Sequence, residues 1–344
     1  MNLYKYLLQK KHSDYIEIEI HLHERCNISC IFCCQNHNGP LTNKEDLLIK
    51  LELVKEFIKK QTLNKYVINL MGGELFSDDI DDSLINLYKW FISELKSLLH
   101  GKEVKFGITT NLIFTKTERI LNLIKELKKE YDFSLGVSYD SKLRSWTQFQ
   151  LECVYKPNIE LFKPYISTIC SVLHSHTIKF LLKQEDIYLT YLYNNFNLDF
   201  SYYVPKSNSG KDTKQYQSMA PSDEDLKNIL FYLKEKYPKS TPIKQLLNNE
   251  INSFQCCSQN RILISANNKT SNCLYLEDKY IQDDFKSNLN REDISNMFKN
   301  TIEKNKCLSC EHFNKCTFPC LALNDYIHRE TNLKCFLKEF LDKA

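Results

Sequence analysis

Long apolar runs are missing from this sequence. Residues 1–15 mix charged and polar side chains with Leu7 and Leu8, so no apolar core of signal-peptide length opens the chain, and no later run reaches the length of a membrane span. An excess of one charge is missing as well. The formal net charge of the 344 residues is +3, with no clustered Lys/Arg face of the kind that binds nucleic acid. Glycine is scarce, at seven residues. The expectation is a cytoplasmic protein with neither a nucleic-acid nor a membrane partner. In that reducing compartment, cysteines at short fixed spacings bind metal more often than they pair, and cysteine is what the chain has in quantity: fourteen of them.

Hydrophobic residues make up 42% and charged residues 26% of the chain, the balance of a soluble globular protein with chain enough for one large core and a satellite. The first two-thirds alternates short β-branched or apolar runs with longer amphipathic ones, the pattern of βα units around a parallel sheet or barrel. Strands are expected near 16–22, 66–71, 104–109, 133–138, 169–173 and 200–204. Helices fill the gaps, as at 44–60, where Leu47, Leu48, Leu51, Val54, Phe57 and Ile58 repeat at helical spacing, and at 84–99. Six such units make an α/β fold, a partial (β/α)6 TIM-like barrel, over residues 1–205. Residues 206–217 are polar and read as a surface loop. Pro221, Ser222 and Asp223 then signal the start of a bridging helix ahead of Leu226, Ile229, Leu230 and Leu233, so 206–250 is taken as a linker with that helix. Eight of the fourteen cysteines lie in the last ninety residues, and 251–344 is taken as a separate, small cysteine-rich domain.

Cys26, Cys30 and Cys33 form C-x3-C-x2-C directly after the first strand. Three thiolates suit a [4Fe-4S] cluster in which three irons are protein-bound and the fourth stays open. An open iron is chelated well by an amine and a carboxylate, and S-adenosylmethionine (SAM) carries both beside a sulfonium that accepts an electron. A zinc knuckle completed by Cys34 is the competing chemistry, although zinc spacing usually pairs C-x2-C with a distant second pair. With Phe32 before its last cysteine, the loop resembles the signature of the radical SAM superfamily.

Three later segments fall at the C-terminal ends of expected strands, where parallel barrels place their active sites. Gly72-Gly73-Glu74 resembles the family's GGE motif, which holds the SAM amino group; two glycines let backbone approach a ligand closely. Thr109-Thr110-Asn111 offers hydroxyl and amide groups suited to a ribose or carboxylate. Ser138-Tyr139-Asp140 matches a Ser-x-Asp that in the family often reaches SAM or substrate. Each alone reads equally as a turn or a helix cap. Their order behind the cysteine loop is what carries weight.

Cys307, Cys310, Cys316 and Cys320 give C-x2-C-x5-C-x3-C, followed by Cys335 and preceded by Cys256, Cys257 and Cys273. This resembles the SPASM domain of radical SAM enzymes, which holds two auxiliary [4Fe-4S] clusters; a zinc ribbon is the competing reading. Asn268 stands where that family has a glycine, a swap that keeps access to the left-handed conformation. The resemblance implies an outer cluster on Cys307, Cys310, Cys316 and Cys335. It implies an inner one on Cys273, Cys320 and Cys256 or Cys257, or on both of the last two if the inner cluster has no open iron.

What the resemblance implies is an enzyme whose catalytic cluster reduces SAM to methionine and a 5′-deoxyadenosyl radical, with a flavodoxin- or ferredoxin-type protein as reductant. The radical abstracts hydrogen from a substrate, most often in this subfamily a peptide that is crosslinked, epimerised or oxidised. In sulfatase-maturing relatives an aspartate follows the second C-terminal-domain cysteine; Leu274 stands there, so formylglycine formation is not implied. About fifteen residues precede the first strand, too few for a separate leader-binding domain. Dehydrogenation or epimerisation of a small sugar-like molecule, and an iron-sulfur electron-transfer or regulatory role without SAM cleavage, are the other readings. His21 and His23, alternating on the first strand, are expected to be hydrogen-bonded structural residues, and Cys153 and Cys170 packing residues.

Overall fold

The structure, a computed structural model, describes residues 14–33, 35–141, 144, 146–203, 218–248, 261–271, 303, 306–312 and 335–343. Six strands, β1 (Ile16–His21), β2 (Lys65–Met71), β3 (Glu103–Thr110), β4 (Asp132–Ser138), β5 (Ile166–Leu173) and β6 (Leu198–Tyr202), pair in sequence order, all parallel. Between them run α1 (Lys44–Ile58), α2 (Asp82–Leu98), α3 (Thr117–Glu130), α4 (Lys156–Phe162), α5 (Ser175–Lys183) and α6 (Ile187–Asn195). A parallel neighbour needs a crossover, and the amphipathic helices supply it. This is the partial barrel that the alternating pattern implied, with strand limits moved by a few residues.

Local chemistry sets the helix starts. Asn43 caps α1 by accepting from the Asp46 amide at 2.9 Å, and Asp81 caps α2 by accepting from the Leu84 amide at 2.9 Å. Ser222 and Asp225 form a reciprocal capping box on α7 (Asp223–Lys236), the bridging helix marked in the sequence. Leu47, Leu51, Val54 and Phe57 bury one stripe of α1, while Leu48 and Ile49 of the same apolar run stay exposed. The outward faces of the strands meet these helices. Ile16, Ile18 and Ile20 of β1, Ile68 of β2 and Phe106 of β3 are each fully buried in that shared core, and each side chain contributes about 1.5–3 kcal/mol.

The inward faces are polar. Glu17, Glu19 and His21 alternate with the isoleucines of β1, and Asn69 of β2, Ser134 of β4 and Cys170 and Asp199 of β5 and β6 occupy equivalent positions in the registers. Gly107 of β3 leaves room for Asn69, since a Cβ there would stand 2.5 Å from its Oδ1.

An addition at the far edge was not foreseen. Residues 261–264, assigned from sequence to the cysteine-rich region, form β7 (Arg261–Ile264), parallel to β1 with Glu17 opposite Arg261, and β8 (Thr270–Ser271) follows antiparallel. In the turn between them Asn268 has φ +63°, the left-handed conformation expected of the residue replacing glycine. The fully buried Lys50 of α1 donates to Ala266 O at 3.1 Å and to Asn268 Oδ1, latching this turn onto the barrel. Helix α8 (Ile243–Leu247) follows α7, and α9 (Phe336–Leu341) packs its buried Phe336, Leu337 and Phe340 toward α7, with Phe340 against Phe231 at 5.2 Å between ring centroids. Among the described residues no helix is long and apolar enough to cross a membrane. Lys50→Met, which leaves two acceptors without their donor, is expected to lower the unfolding free energy by about 1–3 kcal/mol in a urea titration; unchanged stability would show the latch to be inert.

Candidate active site

The cysteine loop leaves the barrel mouth after β1 and is pinned from two sides. From β2, the Gly73 amide donates to His23 O at 2.8 Å and the Glu74 amide to Arg25 O at 3.0 Å. A Cβ on Gly72 would lie 2.4 Å from His23 O, and one on Gly73 1.7 Å from Arg25 O. Real side chains do not approach so closely, so both glycines are required by the contact itself. From β3, Asn111 Nδ2 donates to Asn27 Oδ1 at 2.9 Å and approaches Cys26 Sγ at 3.8 Å, while Asn27 Nδ2 returns a bond to Ile113 O.

Glu74 ties the two turns together. Its carboxylate is wholly buried and accepts from Thr110 Oγ1 at 2.7 Å, the Phe76 amide at 3.1 Å and the Asn111 amide at 2.6 Å. Burial pushes this acid up to about 7, against the pull of the three donors.

The sulfurs face one cavity of about 280 Å3, whose wall holds Cys26, Cys30 and Cys33 together with Gly72, Gly73, Glu74, Thr109, Thr110, Asn111 and Ser138. Burial pushes the Cys26 thiol up to about 12, and Glu74 and the thiols of Cys30 and Cys33 add to the shift. Left to itself this group is a neutral thiol at pH 7; a thiolate there needs a cation beside it. Three converging soft ligands short of a counter-charge fit an iron-sulfur cluster or another thiophilic metal.

Asp140 stands apart from the other expected residues. It is fully buried behind the wall, where Oδ1 accepts from the Val172 amide at 2.6 Å and from Ser171 Oγ at 3.3 Å, and burial raises its pKa. Its other oxygen pairs with Arg144 Nη2 at 2.7 Å, and it is Arg144 that reaches the cavity. Sequence reasoning missed this arginine, although the spacing Asp140-x3-Arg144 is visible in the chain. It also missed the interior of β1. His21 and Glu19 both line the cavity, His21 Nε2 lies 2.8 Å from Glu19 Oε1, and Arg261 of β7 pairs with the other Glu19 oxygen. Burial alone would raise Glu19; His21 and Arg261 overcome it and hold the acid at about 2. His23 bonds Tyr88 Oη at 3.0 Å, the structural role expected for it.

In the C-terminal region, Cys307 and Cys310 flank a single 3-10 turn, Cys307–Ser309, and Cys335 immediately precedes α9. Burial pushes the Cys307 thiol up to about 12, with Cys335 and Cys310 close enough to add to it. Cys256, Cys257, Cys273, Cys316 and Cys320 lie outside the described residues.

Two predictions concern the metal-free chain. Gly73→Ala is expected to cost more than about 3 kcal/mol in unfolding free energy, because backbone and not a flexible side chain must give way; a loss below 1 kcal/mol would contradict the contact. Because the folded-state pKa of Glu74 is raised, its stabilising contribution is complete below about pH 4.5 and is lost as the pH rises through about 7. Measured against Glu74→Gln, the wild type is therefore expected to lose on the order of 3 kcal/mol across that window, and a flat or rising difference would refute the assignment.

No family model matches the chain. A stretch of 124 residues, 36% of this chain, is 28% identical to "Putative peptide biosynthesis protein YydG" of Bacillus subtilis (strain 168), of which it covers 35%. The chain spans about a third or less of the length of the curated relatives it matches. Among solved structures, native anSMEcpe with bound AdoMet and Kp18Cys peptide superposes with a TM-score of 0.65 at 18% identity, over 96% of this chain and 95% of that one. Streptococcus suis SuiB bound to precursor peptide SuiA gives a TM-score of 0.50 at 16% identity, over 93% and 75% of the two chains. At such identities the likeness is one of fold. Over most of its length the chain shares the fold of these two structures, and on that fold its cysteine loop sits on a parallel partial barrel beside the Gly-Gly-Glu turn, the two segments that carry its sequence resemblance to the radical SAM superfamily.

Proposed function

We propose that the chain is a radical SAM enzyme of the SPASM type that modifies a peptide. The observation that carries this reading is the convergence of three cysteines, Cys30 buried and Cys26 and Cys33 half-buried, on one cavity whose wall also holds the Gly-Gly-Glu, Thr-Thr-Asn and Ser138 strand ends. A [4Fe-4S] cluster held there would supply the electron for reductive cleavage of SAM, and so the means to abstract hydrogen from the substrate. Cys26, Cys30 and Cys33 would hold the cluster, with SAM bound beside it in the same cavity. Gly72 and Gly73 let the turn seat directly against the cysteine loop, Thr109 and Ser138 offer hydroxyls, and Asn111 and Glu74 keep the loop in register.

The peptide substrate is supported by the likeness to anSMEcpe over 96% of the chain, since that enzyme was solved with a peptide, and by SuiB with its precursor. For the auxiliary clusters the support is the cysteine spacing and the grouping of Cys307, Cys310 and Cys335. In this reading residues 251–344 form the SPASM domain, with Cys316 joining those three and Cys273, Cys320, Cys256 and Cys257 serving an inner cluster. A flavodoxin- or ferredoxin-type protein delivers the electron.

Anaerobic incubation of the reconstituted protein with SAM and dithionite is expected to yield 5′-deoxyadenosine, and Cys30→Ala to abolish it. A fully reconstituted wild type that makes none would overturn the reading. A mass change in a small peptide encoded beside the gene, after co-expression, would identify the bond formed.

A further inference from the structure

Arg144 is placed at the cysteine loop by interactions that do not use all of its hydrogen-bonding capacity. Its guanidinium pairs with Asp140 at 2.7 Å, and Asp140 is itself held by the Val172 amide and Ser171. The guanidinium carbon lies 5.5 Å from the centroid of the Phe32 ring, in the loop between Cys30 and Cys33, and the side chain, 11% exposed, shares the cavity with the three thiols. Its Nε–H is buried and meets no acceptor among the described residues. A buried donor left unmet costs about 1–3 kcal/mol, so a fold that keeps one at a cavity wall favours an acceptor arriving from outside the chain.

We propose that Arg144 is the cation that sets the reduction potential of the cluster held by Cys26, Cys30 and Cys33, with Asp140 as the residue that positions it. The inference rests on the reading that this loop holds a [4Fe-4S] cluster. Three thiolates around a cluster core give a negative assembly, and uptake of one electron makes it more negative. A fixed positive charge therefore stabilises the reduced state more than the oxidised one, and N–H donation to cluster sulfur acts in the same direction. Burial keeps salt from screening the effect. Although burial works against the charge on Arg144, Asp140 and the nearby thiols of Cys30 and Cys33 more than offset it, and the guanidinium stays protonated. Asp140 plays two opposed parts: it fixes the cation, and its own negative charge partly cancels the cation's field. Removing the charge of Arg144 therefore lowers the potential, which a purely structural role would not do.

The test is a potentiometric titration, followed by electron paramagnetic resonance, of the anaerobically reconstituted full chain. The N-terminal cluster is the signal that Cys30→Ala removes. Arg144→Gln is expected to move its midpoint to a more negative potential at unchanged iron content, and Arg144→Lys to stay nearer the wild type. An Arg144→Gln protein that keeps its iron and shows a midpoint at or above the wild-type value refutes the proposal. Should Arg144→Gln fail to retain the cluster, Arg144→Met is read in the same way: a midpoint at or above the wild-type value refutes it equally. If Cys30→Ala removes no signal and no iron, the cluster reading itself has failed, and the titration separates that outcome from the others.

Discussion

Two backbones meet at the mouth of the barrel with no room for a side chain between them, and the candidate site depends on that approach. The stem of the cysteine loop, at His23 to Arg25, lies directly on the turn at Gly72 and Gly73, joined by two amide hydrogen bonds. Glu74 then carries the constraint sideways, because its carboxylate binds the end of β3 through Thr110 and Asn111. Asn111 returns to Asn27, one residue past the first cysteine. Three segments separated by some forty residues each thereby become one ring of backbone and polar contacts, and the thiols inherit its rigidity.

Beneath that ring the barrel departs from the usual division of a protein into apolar inside and polar outside. The apolar core lies between strands and helices, while the lumen holds carboxylates, an imidazole and an arginine. Such groups are costly to bury unless each has a partner. Here Glu19 has both His21 and Arg261, and Glu17 has Asn69 at 3.3 Å and Arg261 at 3.7 Å. A barrel filled in this way keeps polar groups next to the cavity in place of the packed layers of branched side chains that close other parallel barrels.

The parallel units were legible because their signals are local. Alternation marks strands, apolar spacing marks helices, and Ser222 marks a helix start. The cysteine loop was legible for the same reason. What sequence did not disclose was which polar residue faces a ligand and which faces another polar residue. Glu74, Thr110 and Asn111 looked like separate contacts to a bound molecule, yet they also satisfy one another. Asp140 looked like a wall residue and instead lies behind the wall, presenting Arg144 in its place. β7 was hidden because four residues, Arg261 to Ile264, carry too short a pattern, and their partner strand lies more than two hundred residues earlier.

That last pairing bears on how the chain comes together during synthesis. Glu19 is made 242 residues before the arginine that neutralises it, and Lys50 is made 216 residues before the carbonyl it binds. Strands β1 to β6 each pair with a sequence neighbour, but the two carboxylates on β1 have their cation only through β7. Closure of the β1 edge thus depends on residues more than two hundred positions later in the chain, and it brings the lumen carboxylates their cation.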